Sequence, residues 1–350
     1  MDAMRIGVLT GGGDCPGLNA VIRAVVLGGA RHDDQFVGML DGWLGAIENN
    51  AISLDSDQCR SILTKGGTIL GSSRTNPFAT DDGGDRVAAT MAALELDAMV
   101  AIGGDDTLGA ADRLFQRGLP VVGVPKTIDN DLSGTEVTFG FDTAVQIATE
   151  AIDRLQTTAE SHHRVIVCEV MGRNVGWIAV HAGMAGGAAE ILIPEVPFSL
   201  DAVCDRLRQR HDGGQYFSTV VVAEGALPRD EEAGWLRRSQ QLGRADQFGH
   251  IRLGGIGGYL AEEIEQRTGF EARSTVLGHI QRGGSPTAFD RVLATRFGAA
   301  ALAAVHDREF GTMVALQAGA VVRIPLSDAI GKPKRVDPQL YEEVAGLYLG

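Results

Sequence analysis

Along the chain, short β-branched apolar runs alternate with longer segments whose apolar positions recur at helical spacing. The runs Arg5–Thr10, Leu96–Ile102, Val121–Val124, Val165–Val170 and Val220–Ala223 predict strands, while Leu18–Val26, Val87–Glu95, Ala144–Gln156 and Gly255–Arg267 predict helices. Strands alternating with helices imply βαβ units and a mostly parallel sheet. Strands that are apolar throughout fit a sheet covered on both faces. In such sheets ligands sit outside the carboxyl ends of the strands. The chemically unusual residues cluster at those ends, where the runs lead into GGGDCPG, GGDD, PKTIDND, MGRN and EGA. Residues 225–255 are more polar and less periodic, and read as a loop or partly helical insertion. There is no internal repeat and no low-complexity tract.

Composition narrows the function classes. With 350 residues, 44% hydrophobic and 22% charged, the chain can form two ordinary domains or one large one around a substantial core. Its 47 glycines cluster at turns, which points to positive φ or to backbone approached closely by a ligand. A net charge of −14 argues against nucleic-acid binding. A local arginine cluster can still hold an anionic substrate in an acidic protein. Cys15, Cys59, Cys168 and Cys204 form no CxxC pair and read as free thiols in a reducing compartment. No stretch approaches 18 consecutive apolar residues, and Met1–Ile6 enters a strand pattern directly, so neither a membrane span nor a signal peptide is expected. The expectation is a soluble cytoplasmic protein.

Four groups of residues carry candidate chemistry. Gly11-Gly12-Gly13-Asp14-Cys15-Pro16-Gly17, between a strand and a helix, lets backbone N–H groups face an anion, although a plain strand–helix turn would use the same glycines. It is not a Walker A loop, because Leu18 stands where lysine should follow. Gly103-Gly104-Asp105-Asp106-Thr107 suits magnesium, which takes one or two carboxylates plus substrate phosphates; Asp106 or Thr107 could instead cap the following helix. Pro125 to Asp131 (PKTIDND) brings a lysine, a hydroxyl and two carboxylates to a strand end. If the segment is extended, Thr127, Asp129 and Asp131 share one face, as suits a general base beside a metal-bound phosphate. Arg74, Arg164, Arg173, Arg273, His279 and Arg282 flank strands or glycine turns; the planar arginine fork matches phosphate oxygens, so as a set they favour phosphoryl transfer.

These segments, in this order, resemble the 6-phosphofructokinase family. The likeness rests on GGGDCPGLNAVIR, GGTILGSSR, GGDD, PKTIDND, TFGFDTA, EAIDRL, MGRNVGW, ILIPE, EGA and VLGHIQRGGSP, and extends from residue 5 to about 290. It implies two Rossmann-like three-layer α/β domains with mostly parallel sheets and an active site in the cleft between them. The donor-binding domain would be residues 1–140 plus about 281–330. The fructose 6-phosphate-binding domain would be about 141–280 plus a C-terminal helix in 331–350. It further implies a homodimer or homotetramer. Gly12 would then bind the phosphoryl donor, Arg74 reach its phosphates, and Asp105 bind Mg2+. Asp129 would take the proton from the 1-hydroxyl, with Thr127 on the sugar or the transferring phosphoryl group. Arg173 would steady developing charge and Glu224 contact sugar hydroxyls. His279 and Arg282 would hold the 6-phosphate, joined by Arg164 and Arg273 from a neighbouring subunit. Ile128, Met171, Gly172, Ile280 and Gln281 complete the implied substrate-binding segments.

The same resemblance bears on the donor. Family members that use ATP have glycine where this chain has Asp106, and many have glycine in place of Lys126. A carboxylate there would oppose a nucleotide α-phosphate by bulk and like charge, while Lys126 would offer an ammonium to a compact pyrophosphate. Ala110 replaces another glycine near the nucleotide. The implied reaction is magnesium-dependent transfer from pyrophosphate to fructose 6-phosphate, reversible, in glycolysis or gluconeogenesis; ATP is the alternative donor. Of the basic cluster that binds effectors in the bacterial ATP-dependent enzymes Arg23 remains, whereas Leu27, Ser56, Gln156 and Gly213–Tyr216 depart from it, so the expectation is no such allosteric control. Lipid and NAD kinases share a GGD turn but lack the MGR and GHIQRGG segments. A non-catalytic regulatory subunit would need a broken set, and Asp105, Thr127, Asp129 and Arg173 are all present.

Overall fold

A computed structural model describes residues 3–229 and 253–348. Most of the segment 225–255, read above as a loop or insertion, lies outside the described residues. Two compact units emerge: one runs to Thr143 and resumes at Arg282–Pro333; the other starts at Ala144, ends at Gln281 and resumes at Lys334. The resemblance had put these transitions near 140, 281 and 330.

Among the described residues the strands are β1 (Arg5–Thr10), β2 (Gln35–Met39), β3 (Ala51–Leu54), β4 (Ala98–Gly103), β5 (Val121–Pro125), β6 (Val165–Val170), β7 (Glu190–Leu192), β8 (Ser218–Ala223), β9 (Ala272–Val276), β10 (Thr312–Gln317) and β11 (Ala320–Pro325). The α-helices are α1 (Leu18–Gly29), α2 (Trp43–Glu48), α3 (Ser56–Arg60), α4 (Gly83–Ala93), α5 (Asp105–Gln116), α6 (Phe141–His162), α7 (Trp177–Ala185), α8 (Leu200–Asp212), α9 (Ile256–Thr268), α10 (Ala288–His306), α11 (Leu326–Ala329) and α12 (Pro338–Tyr348).

The first unit holds a seven-stranded sheet in the order β11-β10-β5-β4-β1-β2-β3. The strands from β10 to β2 are parallel, and antiparallel β11 and β3 form the edges. β4 is buried along its whole length, as its unbroken apolar run predicts. Its core gathers Leu9, Trp43, Met99, Leu108, Leu114 and Met313. In register, Thr10 lies beside Ile102 and Gly103 beside Pro125. The glycine loop, the GGDD turn and the PKTIDND segment therefore leave the sheet side by side.

The second unit holds a parallel sheet in the order β7-β8-β6-β9. Its core packs Val167, Leu192, Leu207, Val222, Leu260 and Ile264. Val170 lies beside Ala223, and Glu169 beside Val276, so MGRN, EGA and the segment after β9 leave the same end.

Candidate functional site

The glycine loop is shaped by its neighbours. Gly12 has φ +78 and Gly17 φ +110, and Gly17 stands at the N-terminus of α1 with no side-chain cap. A Cβ on Gly17 would come within 2.7 Å of the Phe139 ring, so glycine is required by both conformation and space. The Gly12 N–H donates to the Ser73 carbonyl at 3.0 Å, and the Ser72 hydroxyl donates to the Gly12 carbonyl at 2.5 Å. The segment that carries exposed Arg74 is thus stitched to the loop. Asn19, fully buried in α1, fixes the start of that segment: its Nδ2 donates to the Lys65 carbonyl at 2.9 Å and its Oδ1 accepts from Ile69 N–H at 2.8 Å.

Lys126 closes the loop from the β5 side. Its ammonium, 4% exposed as a residue, donates to the Gly13 carbonyl at 2.5 Å. Burial above all, and then the Arg282 guanidinium, pull the Lys126 pKa below the usual lysine range, against the opposing influence of Cys15, Asp14 and Asp131. A cation held this way gains from an arriving anion. Arg282 is part of the same assembly: its Nη1 donates to the Asp14 carbonyl at 3.3 Å, and its guanidinium lies against Gly13. Arg282, expected to hold the 6-phosphate with His279, thus lies beside the glycine loop.

The GGDD turn differs from the helix-cap alternative. Gly104 is the N-cap of α5, and Asp105 and Asp106 fill its first turn. Both stand at the positive end of the helix dipole, where acidic residues are favoured. Thr107 is buried against Gly11 and Gly103, and its carbonyl accepts from Trp43 Nε1 at 3.3 Å. Asp105 is exposed, and its Oδ1 accepts from Gly331 N–H at 2.8 Å.

The PKTIDND segment is not extended beyond Lys126, which corrects the expectation of a shared face by alternation. Asn130 takes φ +54, and the chain bends at Ile128–Asp129. Hydrogen bonds assemble the acidic groups instead. Thr127 Oγ1 accepts from the Asp129 N–H at 3.0 Å and donates to the Asp131 carboxylate. Burial, reinforced by the Asp129 charge, pushes the Asp131 carboxyl up to about 6. Asn130 Oδ1 accepts from Thr138 N–H at 3.1 Å, and Thr138 Oγ1 donates to the Thr127 carbonyl at 2.7 Å. Ile128 is fully buried. Among the described residues no group of three or more His, Cys, Asp or Glu could by itself hold a metal. The exposed Asp105 carboxylate, with Asp131 close enough to feel its charge, nevertheless fits a magnesium ion that takes most of its ligands from phosphate and water.

In the second unit, loops after parallel strands meet. The Gly225 N–H donates to the Gly172 carbonyl at 3.1 Å, and a Cβ on Gly225 would collide with the Arg173 carbonyl. The Glu224 N–H donates to the Val170 carbonyl at 2.8 Å. Gln281, fully buried, accepts from the Met171 N–H at 3.3 Å. Met171, Gly172, Arg173, Glu224 and Gln281 are thereby brought together, with His279 and Ile280 exposed on the same short 3-10 turn. Arg164 and Arg273 are not part of this cluster. They sit at the opposite, N-terminal end of the sheet, where both pair with Glu271 at 2.7 Å. Sequence reasoning missed Asn19, Ser72, Thr138 and the anchoring roles of Trp43 and Gln281. Each acts on backbone far away in sequence, and no local pattern announces that.

The family model described as Phosphofructokinase matches residues 5–305. A pyrophosphate–fructose 6-phosphate 1-phosphotransferase of Streptomyces coelicolor is 58% identical, over 99% of this chain and all of that one. An ATP-dependent 6-phosphofructokinase 3 of the same organism is 53% identical, over 97% of this chain and 98% of its own. The solved phosphofructokinase of Saccharomyces cerevisiae superimposes with a TM-score of 0.83 at 28% identity, over 99% of this chain; this chain spans 50% of the yeast one. Glycine loop, GGDD turn, acidic bend and MGR loop, in this order on two α/β units and over the whole matched length, make the chain a member of the phosphofructokinase family.

Proposed function

We propose that this protein transfers a phosphoryl group from pyrophosphate to the 1-hydroxyl of fructose 6-phosphate, giving fructose 1,6-bisphosphate and phosphate. The observation that carries the donor assignment is the buried Lys126 ammonium on the Gly13 carbonyl, with Asp106 in the first turn of α5 next to Asp105. A lysine on the glycine loop supplies charge to a compact donor. A carboxylate in that turn opposes the α-phosphate of a nucleotide.

In the proposed reaction Asp129 accepts the proton of the 1-hydroxyl. The sugar oxygen bonds the transferred phosphorus, the bridging P–O bond breaks, and phosphate departs. Thr127 sets the geometry of the base, since its hydroxyl accepts from the Asp129 N–H. Gly12, Arg74 and Lys126 serve the donor side, and Arg282, beside the glycine loop, holds the 6-phosphate with His279. Arg173, with Met171, Gly172, Glu224, His279, Ile280 and Gln281, serves the sugar phosphate and the charge that develops on transfer. Phosphoryl transfer needs positioning and charge neutralisation rather than covalent help, and these groups supply both. Magnesium, held by Asp105, would neutralise the donor oxygens. Arg164 and Arg273 complete the sugar-phosphate site of a second copy in a homodimer or homotetramer. Control by nucleotide or phosphoenolpyruvate effectors is absent.

The test is turnover of fructose 6-phosphate with magnesium and either pyrophosphate or ATP, read as kcat/KM for each donor. Turnover with pyrophosphate alone supports the proposal. The 53% identity to an ATP-dependent relative favours a second reading, ATP as donor, which turnover with ATP alone would establish.

A further inference from the structure

Asp290 is fully buried in the first turn of α10 and belongs to none of the loops described above. Its Oδ2 accepts two hydrogen bonds from Thr143, from N–H at 2.8 Å and from the hydroxyl at 2.5 Å. The Thr143 hydroxyl accepts from Thr287 N–H at 3.0 Å, and the Thr287 hydroxyl donates to Asp142 at 2.6 Å. A carboxylate so buried, answered by the Thr143 and Gly140 amides and a hydroxyl rather than a cation, is costly to keep for packing alone.

What Asp290 grips is the end of a strip that touches both halves of the proposed donor site. On one edge of the strip, the Phe139 ring packs over Gly17, and the Phe139 carbonyl accepts from the Cys15 thiol at 3.8 Å. Gly140, at φ +93, leaves only enough room for Cys15, whose Sγ would lie 2.5 Å from a Cβ there. On the other edge, Phe139 bridges to Lys126, and Thr138 holds the Thr127 carbonyl and Asn130. The glycine loop and the acidic bend therefore share one support, residues 138–143, and its far end is fixed to α10 through Asp290.

We infer that Asp290 is a positioning residue for phosphoryl transfer, holding the strip that sets the glycine loop against Lys126 and Asp129. The inference rests on the phosphofructokinase activity proposed above, so its test combines kinetics with a readout that needs no turnover. In Asp290→Ala and Thr143→Val, kcat/KM for the donor that the wild type uses falls about tenfold or more, a loss of one hydrogen-bonded anchor. Fructose 6-phosphate affinity stays within about twofold, and the double variant loses no more than the worse single one, as expected of two partners in one contact. Asp290→Asn keeps an acceptor oxygen for Thr143 and restores most activity. Independently, alkylation of Cys15 followed by mass spectrometry speeds up about tenfold in Thr143→Val, while buried Cys168 of the other unit reacts as in wild type. Should Asp290→Ala not fold, Thr143→Val and Asp290→Asn decide alone. Unchanged Cys15 labelling in Thr143→Val overturns the inference, as does a loss that is equal for donor and sugar and follows a fall in Tm. If the wild type turns over neither donor, the functional proposal fails and Cys15 labelling still judges the support.

Discussion

At the scale of single residues, the central group is Asp129. Its main-chain N–H is fixed by Thr127, and its charge helps to raise the neighbouring Asp131 carboxyl to about 6. In the proposed role of general base it would contribute about 10²–10⁴-fold to the rate. Asp129→Asn is expected to lower kcat by that factor and leave the fructose 6-phosphate Kd within a few-fold. A kcat within threefold of wild type removes Asp129 as the base. Lys126 makes a different prediction. Lys126→Met keeps much of the buried stem and deletes the ammonium on Gly13, so KM for the donor rises about tenfold or more while sugar binding is unaffected; an unchanged donor KM detaches Lys126 from the donor. These residues were legible because each stands in a run of unusual composition at a strand end. Asn19 and Asp290 were not. Asn19 closes hydrogen bonds to Lys65–Ile69, and Asp290 to Thr143, and both pairings exist only after folding.

Among the elements, the central strands were the readable part. β1 and β6 match their apolar runs end to end, because a strand covered on both faces has little choice of residue. The structure extends others: β8 begins at Ser218 and α6 runs from Phe141 to His162, where polar but paired or amphipathic residues blur the ends. Edge strands escaped. β9 (ARSTV) is largely exposed and β7 is three residues long, so neither carries a periodic signal. The junction of α6 and α10 yields a pH prediction. Burial, only partly offset by the bonds from Thr143 and Gly140 and aggravated by Asp142, pushes the Asp290 carboxyl from 3.8 up to about 6. A raised carboxyl pKa means that the folded state prefers the protonated form. Stability from this group is therefore lost as pH rises from about 4 to about 6, by about 3 kcal/mol at most. The Tm of Asp290→Asn relative to wild type should accordingly improve between pH 4 and pH 7. A pH-independent difference contradicts the burial argument.

On the scale of the whole molecule, the second sheet separates two sets of candidate site residues. Arg164 and Arg273 lie at its N-terminal end, and the MGR loop, Glu224 and His279 at its C-terminal end. A six-residue strand such as β6 is about 20 Å long, too far for one sugar phosphate to touch both sets in the same chain. The proposed sharing of sites between subunits predicts complementation. Arg164→Ala/Arg273→Ala and Asp129→Asn proteins, each inactive alone, regain part of the wild-type rate when co-expressed. No recovery in mixed oligomers contradicts shared sites. The separation of the two sets could not be read from periodicity, since it depends on which ends of a parallel sheet the residues occupy. The donor assignment, by contrast, rests on two side chains. The most direct measurement is the ratio of kcat/KM for pyrophosphate to that for ATP in wild type and in Asp106→Gly. A wild-type ratio far above one that falls about tenfold or more in the variant, through a gain with ATP, is the predicted result. A ratio unmoved by the substitution would contradict the account that Asp106 selects the donor.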